Sequence, residues 1–385
     1  MRLGITTDCI HYKHADGRVG TENHILLRQF EQLADHFQAT TIACSFANLD
    51  ESKVISWYTK EISFIELPVV GGKRIIDKLK IFTTIPKWIN GFKKINKLSD
   101  IVYQRFPNNL NIPGFFYFYC KKQKVFATFT GTWEDYIGEP KTYRFQKWLL
   151  KKYFRGPVWV YTSHQGNDCR IKPGFSPSYS QNEWEEETEQ VKNRIRNISI
   201  NGIPILRLIT VGTLIDYKNQ MAILKACTIL KSKGISFTLK IVGGGPMFKQ
   251  LANYIKEQQL EHDVEMVGKK NYQDLRALYR QADFVVQAPL KEGFGKVPIE
   301  GLFHGVIPIL NNLSMAGHMT GEEERGFLFE NGNELLLAEK LIDIKNKVSK
   351  LSLMIEKGRT FAKKQTLESW ANEYYATVTE FYKIS

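Results

Sequence analysis

Residues 282–308, ADFVVQAPLKEGFGKVPIEGLFHGVIP, leave this chain few ways to fold. Residues 282–286, Asp283 apart, and 306–310 are apolar, and each run is short, as a strand buried on both faces should be. Between them, 291–295 is a glycine-punctuated loop and 297–304 reads as a short helix, with Pro298 tolerated in its first turn. The order strand, loop, helix, strand belongs to a parallel sheet. Two carboxylates, Glu292 and Glu300, bracket the turn eight positions apart. With one on the loop and one on the helix, both can face one ligand at different depths. Gly293 and Gly295 let the backbone come close to that ligand. The amides around Phe294 to Val297 favour an anion at the helix start. Hydroxyls for the carboxylates and a diphosphate for the amides describe a sugar nucleotide.

The same alternation runs through the chain. An opening strand at 2–7 leads to a loop with Gly17 and Gly20, and a helix begins near Thr21, with Ile25, Leu26, Phe30, Leu33 and Phe37 at helical spacing. Strands follow at 40–44, 100–106, 124–129 and 158–161. Ser180 and Glu183 form a capping box that opens an acidic linker helix. In the second half, strands at 206–211, 237–242 and 263–267 alternate with helices at 219–231 and 271–281. Helices at 333–344 and 349–364 precede an aromatic-rich terminal helix at 370–382. With 385 residues, there is room for two domains of ordinary size, each with its own core.

Composition narrows the partners. The 43% hydrophobic and 24% charged residues are those of a soluble globular protein. The sequence shows no signal peptide and no apolar run long enough to span a bilayer. Its five cysteines are scattered without a CxxC pair, as for reduced thiols, so a cytoplasmic location is expected. The net charge of +13 favours anionic partners, and no nucleic-acid motif is present. Much of the excess lies in 71–100, where lysines alternate with apolar residues such as Ile85, Trp88, Phe92 and Ile95. That stretch fits either an anionic membrane surface or an amphipathic helix pair packed on its domain.

The segment E-G-F-G-K-V-P-I-E-G resembles the Glu-x7-Glu signature of the retaining GT-B glycosyltransferases, the large group conventionally numbered four. The resemblance is close over about 205–329 and looser before it. It implies an α/β fold of two Rossmann-like domains facing a cleft: 1–180 for the acceptor, joined by a returning helix at 367–385, and 200–366 for the donor. The reaction implied is transfer of a sugar from a nucleoside diphosphate to an acceptor hydroxyl, with retention. Donor and acceptor are then a nucleotide sugar and a glycan or lipid-linked precursor of a surface polysaccharide or lipopolysaccharide. The donor is a substrate, so no cofactor is expected. No Asp-x-Asp triplet is present, so neither is a metal.

Further residues carry the resemblance. V-G-T-L-I-D-Y-K-N is similar to the loop that grips the donor diphosphate, with Gly212 and Lys218 in place, but Thr213 stands where an arginine is usual. Lys296 is the candidate to replace that charge. Gly244 lies in G-G-G-P, which fails as a dinucleotide fingerprint because Phe248 occupies the third glycine position. As a family turn it lies near the nucleotide, and Gly268 and Lys269 resemble the loop that touches the base. Gly20 corresponds to a glycine that faces the cleft. In F-T-G-T-W-E-D, Thr130 takes the place of a histidine near the donor sugar. Thr132, Glu134 and Asp135 are then acceptor-side candidates, although the two acids also fit a helix N-terminus. His304 is read as packed behind the sheet. Two alternatives stay open: a sugar-nucleotide epimerase of the same fold, and a non-catalytic subunit of a membrane glycan assembly complex.

Overall fold

The structure, a computed structural model, describes residues 1–50, 54–69, 75–136, 138–162, 166–345 and 347–384, with the backbone alone for 75–82. The chain separates into two compact units, Met1–Ser178 with Leu367–Ser385, and Tyr179–Thr366.

The first unit is a sheet with helices on its faces. Its strands are β1 (Arg2–Lys13), β2 (Val19–Thr21), β3 (Ala39–Ala47), β4 (Ser56–Trp57), β5 (Ser63–Leu67), β6 (Ile101–Phe106), β7 (Lys124–Thr132), β8 (Val158–Tyr161) and β9 (Ile171–Pro173). Helices α1 (His24–Ala34), α2 (Ile75–Leu98), α3 (Asn111–Cys120) and α4 (Lys141–Lys152) connect them. The parallel strands run in the order β5-β3-β1-β6-β7-β8-β9, so the order reverses between β1 and β6. The far end of β1 pairs antiparallel with β2, which pairs with β4. Helix α1 starts later than the sequence indicates, because Asn23, not Thr21, caps it by accepting from the Leu26 amide. Its Leu26, Phe30 and Leu33 are buried against Leu3 and Ile5 of β1.

The stretch 71–100 divides. Residues 71–74 lie outside the described residues. Farther along α2, Trp88, Phe92 and Ile95 are core residues, packed with Leu67, Val102 and Phe118. These apolar side chains serve the domain interior and are not offered to a membrane.

The second unit begins with α5 (Gln181–Glu186), capped by the expected Ser180–Glu183 box, and α6 (Thr188–Asn201). A six-stranded sheet follows: β10 (Leu206–Val211), β11 (Phe237–Val242), β12 (Val264–Gly268), β13 (Phe284–Gln287), β14 (Ile307–Asn311) and β15 (Phe327–Phe329). Around it lie α7 (Gln220–Ser232), α8 (Phe248–Glu257), α9 (Tyr272–Gln281), α10 (Lys296–Phe303), α11 (Ala316–Thr320), α12 (Glu334–Lys345) and α13 (Val348–Lys363). The strand order β12-β11-β10-β13-β14-β15 is parallel throughout, with its reversal between β10 and β13. That is the Rossmann order, in which ligands bind beyond the strand ends at the reversal.

The last helix, α14 (Leu367–Tyr382), belongs to the first unit. Tyr374 stacks on Trp159 with ring centroids 3.7 Å apart, and the Tyr382 hydroxyl donates to the Val125 carbonyl at 2.7 Å. These contacts bring the chain's end back onto the sheet it started from.

Candidate functional site

The loops after β10 and β13 meet at the reversal of the second sheet. The first carries Gly212, Thr213 and a single 3-10 turn, Asp216–Lys218. The second carries Glu292. Lys218 and Glu292, distant in sequence, form an ion pair there, each side chain about one quarter or less exposed. The Leu290 amide donates to the Tyr217 carbonyl at 2.8 Å and ties the two loops together beside the pair.

Glycine makes this crowding possible. Gly243, with φ of 144°, lies so close to the first loop that a Cβ would sit 1.9 Å from the Gly212 carbonyl oxygen. Gly295 caps α10 with φ of 70°, and a Cβ there would lie 3.3 Å from Glu292 Cγ. At Gly244 a Cβ would meet the Lys269 side chain at 3.1 Å. Gly268, with φ of 77°, turns the chain after β12. The Gly293 carbonyl accepts from the Ser314 hydroxyl at 2.9 Å, and Phe294 is buried beneath the loop. Lys296 begins α10. Thr213 is exposed, and its carbonyl accepts from the Gln220 side chain at 3.2 Å.

Glu300 lies within α10 and is buried. Its carboxylate accepts from the Tyr279 hydroxyl at 3.0 Å. The Tyr279 ring stacks on His304, 5.3 Å between centroids. His304 Nε2 lies 3.1 Å from the Tyr179 hydroxyl and Nδ1 lies 3.2 Å from Glu187. Glu187 in turn receives Arg276 and Arg280. Burial works to raise the Glu187 pKa, but the bonds from His304, Arg280 and Arg276 outweigh it and hold the carboxyl well below the usual range. Burial also lowers His304, against the pull of Glu187. His304 is thus more than a packed ring: it joins the helix that carries Glu300 to the start of α6. No local pattern marks Tyr179, Glu187 or Tyr279, which act through tertiary contacts.

In the first unit, Thr130 and Thr132 fall where the pairing of β7 with β8 slips by a bulge between Phe129 and Thr132. The Thr130 hydroxyl donates to the Phe106 carbonyl at 3.1 Å. Glu134 accepts from Thr162 at 2.7 Å, and Asp135 pairs with Lys147 at 2.9 Å. The helix-terminus reading of these acids is corrected: α4 starts only at Lys141. Lys147 is buried and also pairs with buried Glu139 at 2.6 Å. Gly20 lies inside β2 rather than in a loop. A Cβ there would meet Val54, Ser56 and Trp57 at 2.7–2.8 Å. Beyond the reversal of the first sheet is a cavity of about 240 Å³, lined by Asp8, Ser45, Trp88 and Asn109 among others. The sequence did not single out this cavity, because five separate segments build it. Among the described residues no group of three His, Cys, Asp or Glu is placed to hold a metal, and no helix is long and apolar enough to cross a membrane.

Residues 201–361 match the family described as glycosyl transferases group 1. The matched span contains both loops, the glycine turns and both glutamates. Over 136 residues the chain is 29% identical to the uncharacterized glycosyltransferase MJ1178 of Methanocaldococcus jannaschii, covering 35% of this chain and 38% of that one. The chain therefore spans well under half the length of that relative. Two solved structures share the whole fold. HepE of Anabaena in complex with UDP has a TM-score of 0.69 at 12% identity, covering 99% of this chain and 100% of its own. WaaG, a glycosyltransferase involved in lipopolysaccharide biosynthesis, has a TM-score of 0.64 at 13% identity, covering 98% and 99%. The fold is GT-B: two Rossmann-like α/β domains with parallel sheets.

Proposed function

We propose that this protein is a retaining glycosyltransferase that moves a sugar from a nucleoside diphosphate to a hydroxyl of a glycan or lipid-linked acceptor. The observation that carries the reading is the Lys218–Glu292 pair at the reversal of the second sheet, walled by glycine turns. A cation, a carboxylate and close backbone are what a sugar diphosphate needs. The match to group 1 supports the class, and the UDP held by HepE makes uridine diphosphate sugars the first donors to try. WaaG's part in lipopolysaccharide biosynthesis supports a surface-glycan precursor as acceptor.

In this reading Lys218 and the amides at the start of α10 stabilise the departing diphosphate, and Lys296 adds positive potential. Glu292 accepts hydrogen bonds from the donor sugar, and Glu300 does so from the ribose. The acceptor oxygen bonds to the anomeric carbon on the face the diphosphate leaves. The C–O bond to phosphate breaks, and the acceptor proton passes to the leaving phosphate oxygen, which spares a side-chain base. Thr132, Glu134 and Asp135 serve the acceptor side, where the cavity beside Asp8 adds further polar groups, while Thr130 and Gly20 are assigned to the donor.

Incubation with a panel of nucleotide sugars and saccharide acceptors, with product configuration read by NMR, tests the proposal. The α-donor gives the α-product, chelator leaves the rate unchanged, and Glu292→Ala lowers it by about a hundredfold or more. Interconversion of free sugar nucleotides without acceptor identifies an epimerase instead. No turnover of any donor identifies a non-catalytic subunit.

A further inference from the structure

We infer that helix α4 and the residues just after it form a docking surface for an anionic lipid bilayer. From Lys141 to Arg155 the sequence is KTYRFQKWLLKKYFR, with six lysines and arginines and no acidic residue. One face of α4 is spent on the protein: Leu149 and Leu150 enter the core, and Lys147 turns inward to Glu139 and Asp135. The other face is unusual for a soluble domain. Phe145, Trp148 and Tyr153 are 40%, 46% and 37% exposed. They touch one another, with Phe145 and Trp148 centroids 5.8 Å apart and Trp148 and Tyr153 centroids 5.0 Å apart.

A cation lies against this aromatic island, and others are exposed on the same segment. The Lys152 ammonium lies 6.0 Å from the Trp148 ring and 5.5 Å from that of Tyr153. Lys141, Arg144, Lys151 and Arg155 are exposed on the same segment, the Lys151 ammonium lying 4.9 Å from the Trp133 ring. Of these, Arg144 reaches buried Glu139 at 3.7 Å, and the Arg155 guanidinium lies over Tyr119 at 3.9 Å. Indole and phenol rings favour the level of lipid headgroups, with the ring body in acyl chains and the polar edge in water. Lysines and arginines beside them extend to headgroup phosphates. The patch is a convex helix face whose rings already stack on each other. It therefore suits a flat, yielding surface better than the separated bases of a nucleic acid, which need open ring faces in a groove. In α2, by contrast, Trp88, Phe92 and Ile95 are internal.

The test is sedimentation of the full chain with vesicles of equal parts phosphatidylglycerol and phosphatidylcholine, beside pure phosphatidylcholine vesicles. Binding is expected only to the anionic vesicles, and salt should weaken it. Trp148→Ala and the double charge reversal Lys141→Glu with Lys152→Glu should each reduce it by about tenfold or more. The second variant changes exposed side chains only, so it keeps the test valid if loss of Trp148 disturbs folding. Lys87→Glu with Lys94→Glu in α2 should leave binding unchanged. The proposal is overturned if the wild type ignores anionic vesicles, if both α4 variants bind like wild type, or if the α2 variant alone abolishes binding. It is equally overturned if the patch proves to bind single-stranded oligonucleotide or an acidic peptide and not lipid. Donor hydrolysis is unaffected by α4 changes, so failure here is separable from failure of the transferase reading.

Discussion

Lys218 and Glu292 neutralise each other before any substrate arrives. In the proposed reaction a donor diphosphate draws Lys218 to itself while Glu292 turns to the sugar, so the two would act as one unit. Replacing either by Ala should lower kcat/KM by about two to three orders of magnitude. The double variant should lose little more than the worse single one, because the partner is already uncoupled. Steady-state kinetics over the four-member cycle measures this, and fully additive losses contradict it. Tyr279 acts one step away. Its hydroxyl holds the Glu300 carboxylate, so Tyr279→Phe should remove a hydrogen bond worth about 1 kcal/mol and weaken donor binding about fivefold. It should appear in KM with kcat nearly unchanged. A fall in kcat alone contradicts a positioning role.

At the scale of elements, the turns and the buried network set the site's shape. Gly243 combines a positive φ with a carbonyl in the space of a Cβ. Gly243→Ala should destabilise the second unit by about 2 kcal/mol or more and impair donor binding, measured by denaturant unfolding and calorimetry. An unchanged midpoint with unchanged affinity contradicts the close packing of the two loops. Glu187 gathers Arg276, Arg280 and His304 from two helices. Glu187→Ala should cost about 3–5 kcal/mol, because it leaves buried polar groups without their carboxylate. The reading of elements succeeded where each strand is a short apolar run and each helix has one apolar stripe. It missed α3 and α4 for opposite reasons. NIPGFFYFYC is apolar on nearly every side, and α4 carries aromatic rings on its outer face, so neither shows a clean helical period. Glu292, Lys218 and the glycine turns were legible because they adjoin strand ends. Glu187, Tyr279 and Asp8 were not, since only folding gives them their neighbours.

For the whole molecule, acid should weaken both units, each through a buried histidine, His11 in the first and His304 in the second. His11 in the first unit is fully buried between the Cys9 carbonyl and the Tyr58 hydroxyl, and burial draws its pKa down to about 4. In the unfolded chain it takes up a proton near pH 6.5. The stability it confers is therefore complete above that pH and is lost as pH falls towards 4, by about 3 kcal/mol. Glu187 in the second unit has a depressed pKa, so its contribution is complete above the ordinary carboxylate range and is lost only as pH falls below it. Thermal unfolding from pH 7 to 4 should show the first unit weakening, and His11→Gln should flatten that slope. Equal slopes in wild type and variant contradict the buried neutral histidine.

The proposed reaction needs the donor to be held where the loops after β10 and β13 meet. Isothermal titration with uridine, guanosine and adenosine diphosphates, on wild type and Lys218→Ala, tests that most directly. At least one nucleotide should bind the wild type, and the variant should bind it at least about tenfold more weakly. Equal affinity for both proteins, or no nucleotide bound by the wild type, contradicts it.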